Sequence, residues 1–244
     1  MNTTITLELL EQKIIMNELT IGQALDISKI PEKYNEKRIS AMIGHITGDL
    51  ELAGTLTVQE RYYFLLNHQA LSDSDYSGAN NIDEYKIETL PLEVPKTYQV
   101  GDMYIGHLYG AHACVLEVIC EHVADWMIGQ MACQLSGDIS FFIGGDERIV
   151  WDELPATLDE ATLNNAIQER FELLSNLSVA DFNELADAYN GASAQLIHFL
   201  ELGCDNSGLT VMAQGGAGND LPARFCALEY LQGVAARLSE CLAG

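Results

Sequence analysis

The chain of 244 residues is 48% hydrophobic and 20% charged, which supplies core material for one large or two modest domains and argues against a disordered chain. Twelve basic side chains stand against 36 acidic ones, a net charge of −24. Nucleic acid and anionic membrane surfaces are disfavoured as partners, because both need clustered Lys and Arg, whereas a basic protein remains open.

The acidity grows along the chain: residues 1–86 carry 7 Lys/Arg and 13 Asp/Glu, residues 87–244 carry 5 and 23. The stretch ITLELLEQKIIMNEL alternates with period two, with Ile5, Leu7 and Leu9 on one face, and reads as a β-hairpin over 4–19. Thr20 to Gln23 fits a capping box opening a short helix that ends near Lys29, before Pro31. Ile39, Met42, Ile43 and Ile46 lie at helical spacing within 35–47. A second capping box, Thr57 to Glu60, opens a helix to about Gln69 with Val58, Tyr62, Leu65 and Leu66 on its apolar face. The polar segment 71–85 reads as a loop or linker and is the expected boundary between two modules. These are a hairpin-plus-helices module over 1–86 and an acidic, mainly helical module over 87–244.

Residues 87–94 can be extended, with Pro91 and Pro95 favouring an edge. TYQV-GD-MYIGHL reads as a second hairpin near 97–108 with Gly101-Asp102 as its turn, and a long helix follows over about 110–134. A third strand pair is expected in 139–151. Thr157 to Glu160 suggests another capping box, for a helix to about Ser175, and Ser178 opens one to about Leu202. A glycine-rich loop over 213–220 precedes a final helix over about 222–242. The expected fold is α+β, a mainly helical body with short β-hairpins.

The six cysteines are Cys114, Cys120, Cys133, Cys204, Cys226 and Cys241, with no C-x-x-C among them. The N-terminus has no basic region followed by an apolar run, so no signal peptide is expected, and no apolar run approaches the ~18 residues of a membrane span. The cysteines then read as free, mostly buried thiols in a reducing compartment.

Chemistry-bearing residues are densest in GHLYGAHACVLEVICEHVADWMIGQMAC, Gly106 to Cys133. On a wheel of about 100° per residue with His112 at zero, Leu116, Ile119, Val123, Trp126, Met127 and Gln130 fall within about 60°. Glu117, Glu121 and Asp125 fall opposite and are expected to face solvent. One helix can offer two ligands to a zinc ion only at i,i+3 or i,i+4. No two of His107, His112, Cys114, Cys120, His122 and Cys133 stand three or four apart, so this helix alone builds no zinc site. Cys114 and His112 point about 160° apart, which disfavours a thiol–imidazole pair. The loop GGAGND lacks the Lys-Ser/Thr of a phosphate loop. Acidic pairs such as Asp73/Asp75 and Asp146/Glu147 lie in polar loops and read as solvated charge. No catalytic, cofactor-binding or metal-binding residue is assigned, and no cofactor. His112 and Gln130 remain as polar groups on an apolar face, and must find hydrogen-bond partners.

The stretch ITLELLEQKIIMNELTIGQALDISKIPEKYNEKRISAMIGHITGD, followed by LTVQERYYFLL, resembles proteins of tailed-bacteriophage tail and baseplate modules, with a looser likeness in ADWMIGQMACQL. In that group a short hairpin leads into an L-T-[IV]-x-[EQ]-A-L helix and then an L-T-x-x-E-R helix. The resemblance implies a non-catalytic structural protein, a baseplate or tail-tip component that packs against other tail or baseplate proteins during virion assembly. It also implies localisation to the virion after synthesis in the host cytoplasm, with homo-oligomerisation a further option. The alternatives are a non-virion tail-assembly chaperone and, from another class, a metal- or thiol-dependent enzyme centred on residues 107–133.

Overall fold

A computed structural model describes residues 5–72, 85–87, 93–143 and 148–213. The N-terminal hairpin pairs β1 (Ile5–Glu8) with β2 (Lys13–Met16), Leu7 opposite Ile14. Its inner face buries Leu7, Leu9, Ile14 and Met16. The Asn17 amide bonds the Ile46 carbonyl and so fixes the hairpin to the helix behind it. α1 (Ile21–Ser28) has the expected capping box, with the Thr20 hydroxyl accepting from the Gln23 amide and the Gln23 side chain accepting from the Thr20 amide.

α2 (Asn35–Thr47) buries Ile39, Met42, Ile43 and Ile46, the four residues that its spacing selects, and ends at Gly48 in the left-handed region. A short α3 (Leu52–Thr55) leads to α4 (Val58–Ser72), which buries Val58, Tyr62, Phe64 and Leu65. The expected linker overlaps the end of α4 at 71–72, and residues 73–84 lie outside the described residues. So do 88–92, the larger part of the expected extended segment.

β3 (Thr97–Val100) and β4 (Met103–Gly106) form the second hairpin as expected, turning at Gly101 with φ +59°. The long helix expected over 110–134 is instead two. α5 (Gly110–Ile119) stops at Cys120, and α6 (Val123–Gln134) restarts after His122. The Asp125 carboxylate causes the restart by accepting from the amides of Glu121 and His122, both at 2.9 Å. The new helix has its own phase, so the single-wheel stripe fails beyond Ile119. Trp126 is buried, but Met127 is 45% and Val123 38% exposed. α6 lies close on α5 because Gly129 has no side chain: an added Cβ would come 2.6 Å from Leu116 Cδ2.

β5 (Leu135–Asp138) and β6 (Val150–Trp151) complete a four-stranded antiparallel sheet in the order β3-β4-β5-β6. The third strand pair therefore differs from expectation. Its first strand is Leu135–Asp138, and ISFFI enters a helical turn, α7 (Ser140–Ile143), with Phe141 79% exposed. α8 (Glu160–Ser175) is capped by Asp159, which accepts from the Thr162 amide, rather than by a box from Thr157. α9 (Val179–Ser193) starts at Ser178 as expected but does not reach Leu202. A 3-10 turn (Ala194–Leu196) leads instead to an unexpected hairpin, β7 (Glu201–Asp205) and β8 (Gly208–Met212). The turn chemistry decides: Asp205-Asn206-Ser207-Gly208 reverses the chain, with the Ser207 amide on Asp205 Oδ1 and Gly208 at φ +124°. The loop expected over 213–220 and the last helix expected over 222–242 lie outside the described residues, Ala213 apart.

The described residues form an α+β fold with a helical body and small antiparallel sheets of two to four strands. One continuous core joins residues before 72 to residues after 85. Among the described residues no helix is long and apolar enough to cross a membrane.

Candidate functional site

Two polar centres lie inside this fold, both where the first seventy residues meet the rest. The first is built on α2, α4 and α5. Arg61 is fully buried, and its Nη2 donates to the Glu36 carbonyl at 2.8 Å and to Ser40 Oγ at 2.9 Å, and stands 3.3 Å from Glu36 Oε2. The Tyr62 hydroxyl donates to the other Glu36 oxygen at 2.7 Å. Among the described residues Arg61 Nε and Nη1 have no acceptor. The guanidinium fits only because position 110 is glycine, where an added Cβ would lie 2.5 Å from Nη1 and 2.1 Å from the Ala53 carbonyl oxygen. A buried charge of this kind is neutralised by its partner rather than being a net source of stability.

Glu117 borders the same centre and does not face solvent as its wheel position suggests. It reaches the start of α2, where one oxygen accepts from the Glu36 amide at 2.7 Å and the other from Lys37 at 2.8 Å. The N-cap residue of α2, Tyr34, makes no side-chain cap bond, so the cap comes from 81 residues away. Burial, then the neighbouring Glu36 carboxylate, push the Glu117 pKa up to about 7 against the opposing pull of the two amides.

The second centre is built on the start of α4. Thr57 and Glu60 form the expected capping box, and Glu60 also accepts from the Leu10 amide at the tip of the N-terminal hairpin. His198 joins it from 141 residues away, with Nε2 at 2.9 Å from the Thr57 hydroxyl. His198 Nδ1 lies 2.9 Å from the Leu196 carbonyl, which can only accept, so Nδ1 carries the proton, and Nε2 shares the single Thr57 hydroxyl proton with Glu60 Oε2, which lies 3.1 Å from that hydroxyl. The backbone after His198 is tightly turned: Phe199 has φ +55°, and the Leu200 amide bonds the His198 carbonyl. Stacking of Phe199 on Tyr63, at 4.4 Å between centroids, holds that turn. His107 packs edge-on against His198 and donates from Nε2 to the Pro95 carbonyl at 3.0 Å. Outside Thr57 and Glu60 lies a cleft of about 450 Å³, also lined by Glu11, Lys96, His107 and Tyr109. Glu11 and Lys96 pair across it at 2.8 Å.

The polar residues of the 106–133 stretch are scattered by the break between α5 and α6. His112 is buried, with Nδ1 accepting from the Tyr109 amide and Nε2 donating to the Leu154 carbonyl at 3.0 Å. Gln130 donates to the Trp126 carbonyl at 3.2 Å. Both polar groups thus find partners inside the fold, as expected. Cys114 meets Ser40 Oγ at 3.2 Å. Burial raises all four described thiols, Cys120 to about 12, so they are held protonated and poorly nucleophilic. Burial lowers the pKa of His68, His107, His112 and His198 instead, His107 and His112 to about 4. Among the described residues no group of three or more His, Cys, Asp or Glu is arranged to hold a metal ion. Asp73, Asp75, Asp146 and Glu147 lie outside the described residues.

Sequence reasoning missed Glu117 as a cap, and the buried roles of Arg61 and Arg170. Arg170 donates to the carbonyls of Leu135 and Asp152 and lies over the Trp151 ring, so it ties α8 to the sheet. The available signal for Arg61 and Arg170 was a charged residue in a helix whose apolar neighbours share its face, whereas Glu117 offered none. Comparisons with protein-family models, curated proteins and solved structures find no match to this chain.

Proposed function

We propose that this chain is a structural protein of a bacteriophage tail, a baseplate or tail-tip component that acts by packing against neighbouring proteins during assembly. One observation carries the architectural part of this reading. The side chains best suited to chemistry are committed to holding backbone in place. Both Glu117 oxygens cap α2, Glu60 closes the α4 cap and holds the hairpin tip, and His112 and His198 each bridge two groups with both ring nitrogens. A scaffold needs such long-range fixings, whereas a general base needs a free lone pair aimed at a substrate. The tail assignment itself is supported by the N-terminal motifs, ELTIGQALDI and LTVQERYYFLL.

Quantitative mass spectrometry of purified particles, from cells producing virions that encode this chain, tests the reading. The chain is expected at a fixed ratio to the tail tube protein. Abundance in the lysate together with absence from particles assigns it to the assembly chaperones instead.

A further inference from the structure

Among the described residues no strand pairs with the outer edge of β3, although α9 and the 3-10 turn pack against this strand, and the geometry of that edge is set by the turn beside it. Gly101 takes a positive φ and Asp102 does not, a two-residue hairpin loop that makes Val100 and Met103 a hydrogen-bonded pair. Antiparallel pairs alternate, so Tyr98 and Ile105 are the next bonded pair. Thr97 and Gln99 therefore turn their N–H and C=O groups outward, and neither has a backbone partner there among the described residues. Thr97, Tyr98 and Gln99 are exposed. Tyr98 lies opposite fully buried Ile105, yet is itself 39% exposed, because the covered face of the sheet runs out at this edge.

Natural edges are blunted by shortness, charge, proline or a bulge; the four-residue TYQV is short and preceded by Pro95-Lys96, but itself holds no charge, proline or bulge and is rich in strand-forming residues. In a chain of net charge −24 most surfaces repel a second copy. This edge is self-complementary in register. A two-fold axis at Tyr98 sets Thr97 opposite Gln99 of the second copy, and each such pair exchanges two backbone bonds. Four bonds result, with the two Tyr98 rings side by side on the axis. Lys96, paired in its own chain with Glu11 at 2.8 Å, then falls opposite Val100 of the second copy and diagonal to that copy's Asp102, to which it offers an attraction shared with Glu11.

We propose that this chain dimerises in solution by antiparallel pairing of β3 with β3 of a second copy, joining two four-stranded sheets into one. The dimer stands apart from the tail reading, since it is a property of the purified chain alone, and either can fail without the other.

Sedimentation velocity of the purified full chain, from roughly 1 to 100 µM, is expected to show association to twice the 26.8 kDa chain mass. Gln99→Pro removes an outward N–H, and Tyr98→Lys places like charges face to face on the axis. Each is expected to raise the dissociation constant about tenfold or more. Tyr98→Cys puts two sulfurs across a non-hydrogen-bonded pair, within disulfide reach, and mild oxidation with diamide is expected to yield a covalent dimer. Wild type and Tyr104→Cys, treated alike, are expected to stay uncrosslinked. Should the proline variant fail to fold, Tyr98→Lys and the crosslink decide. A monomeric wild type throughout this range overturns the proposal, including the case in which β3 takes a strand from a different protein. A dimer indifferent to Tyr98→Lys, with no Tyr98→Cys crosslink, overturns it equally.

Discussion

Replacing Glu117 by alanine strips both acceptors from the start of α2, whose amides lie 2.7 and 2.8 Å from its oxygens. Tyr34, the N-cap residue of α2, offers no side-chain cap bond to take over. Hydrogen bonds to a charged group contribute about 1.5–3 kcal/mol each, and their loss leaves part-buried donors unpaired. Ionised Glu117 opposes this, because burial and Glu36 raise its pKa from 4.5 to about 7. At face value that shift is worth about 3 kcal/mol, and screening of this half-buried group reduces it to roughly 1–2 kcal/mol. The expected net loss for Glu117→Ala is then about 2–3 kcal/mol near pH 8, where the carboxylate is ionised, and about 1 kcal/mol for Glu117→Gln, which keeps one acceptor. The pH dependence separates the charge from the bonds. A carboxyl whose folded pKa is raised contributes stability that is complete below 4.5 and lost as pH rises through about 7. Between those limits the advantage of wild type over Glu117→Gln is therefore expected to shrink by roughly 1–2 kcal/mol. Urea unfolding followed by circular dichroism from about pH 5 to pH 8 reads both quantities. An alanine loss below about 0.5 kcal/mol refutes the long-range cap, and an advantage that widens with pH refutes the rise of the Glu117 pKa by burial and Glu36.

Gly110→Ala drives a Cβ to within 2.1 Å of the Ala53 carbonyl and 2.5 Å of the buried guanidinium, and is expected to cost about 2–4 kcal/mol in the same urea assay; a neutral effect means the Arg61 centre is looser than described. The lowered pKa values of His107 and His112 stabilise the protein above the unfolded value of 6.5, and this stability is lost as pH falls toward about 4. The melting temperature should accordingly drop between pH 6.5 and 4, more steeply in wild type than in His112→Gln; parallel curves would show that His112 is not held neutral by burial. Cys114, Cys120, Cys133 and Cys204 should resist iodoacetamide in the native protein at pH 7.5 and react in urea, as read by peptide mass mapping. Fast native labelling of Cys120 would contradict a thiol pKa near 12.

The elements legible in the sequence are those set by neighbours along the chain. The α2 stripe of Ile39, Met42, Ile43 and Ile46 is buried as its spacing dictates, and the Gly101-Asp102 turn fixes the second hairpin. The break at 120–122 was obscured because apolar spacing continues across it, while its cause is a carboxylate at Asp125 reaching back to two amides. The hairpin over 201–212 was written in Asp205 to Gly208, but leucines and alanines upstream favoured continuing a helix. The polar centres were illegible for a different reason. Thr57 and Glu60 are visible as a local cap, but nothing local announces His198, and Glu117 has the same period as a solvated face. Periodicity assigns a face and cannot say that a second helix arrives on it.

The same distances set an order of events at the ribosome. At about 5–20 residues per second, the 141 residues between Thr57 and His198 take roughly 7–30 s to synthesise. The cap of α2 arrives sooner, since Glu117 follows Glu36 by 81 residues or roughly 4–16 s, and before that the emerging N-terminal part holds α2 uncapped and Arg61 without the α5 wall that encloses it. That nascent stretch is open to proteases and to wrong partners for the whole interval, so the yield of native protein depends on how quickly the later part of the chain arrives.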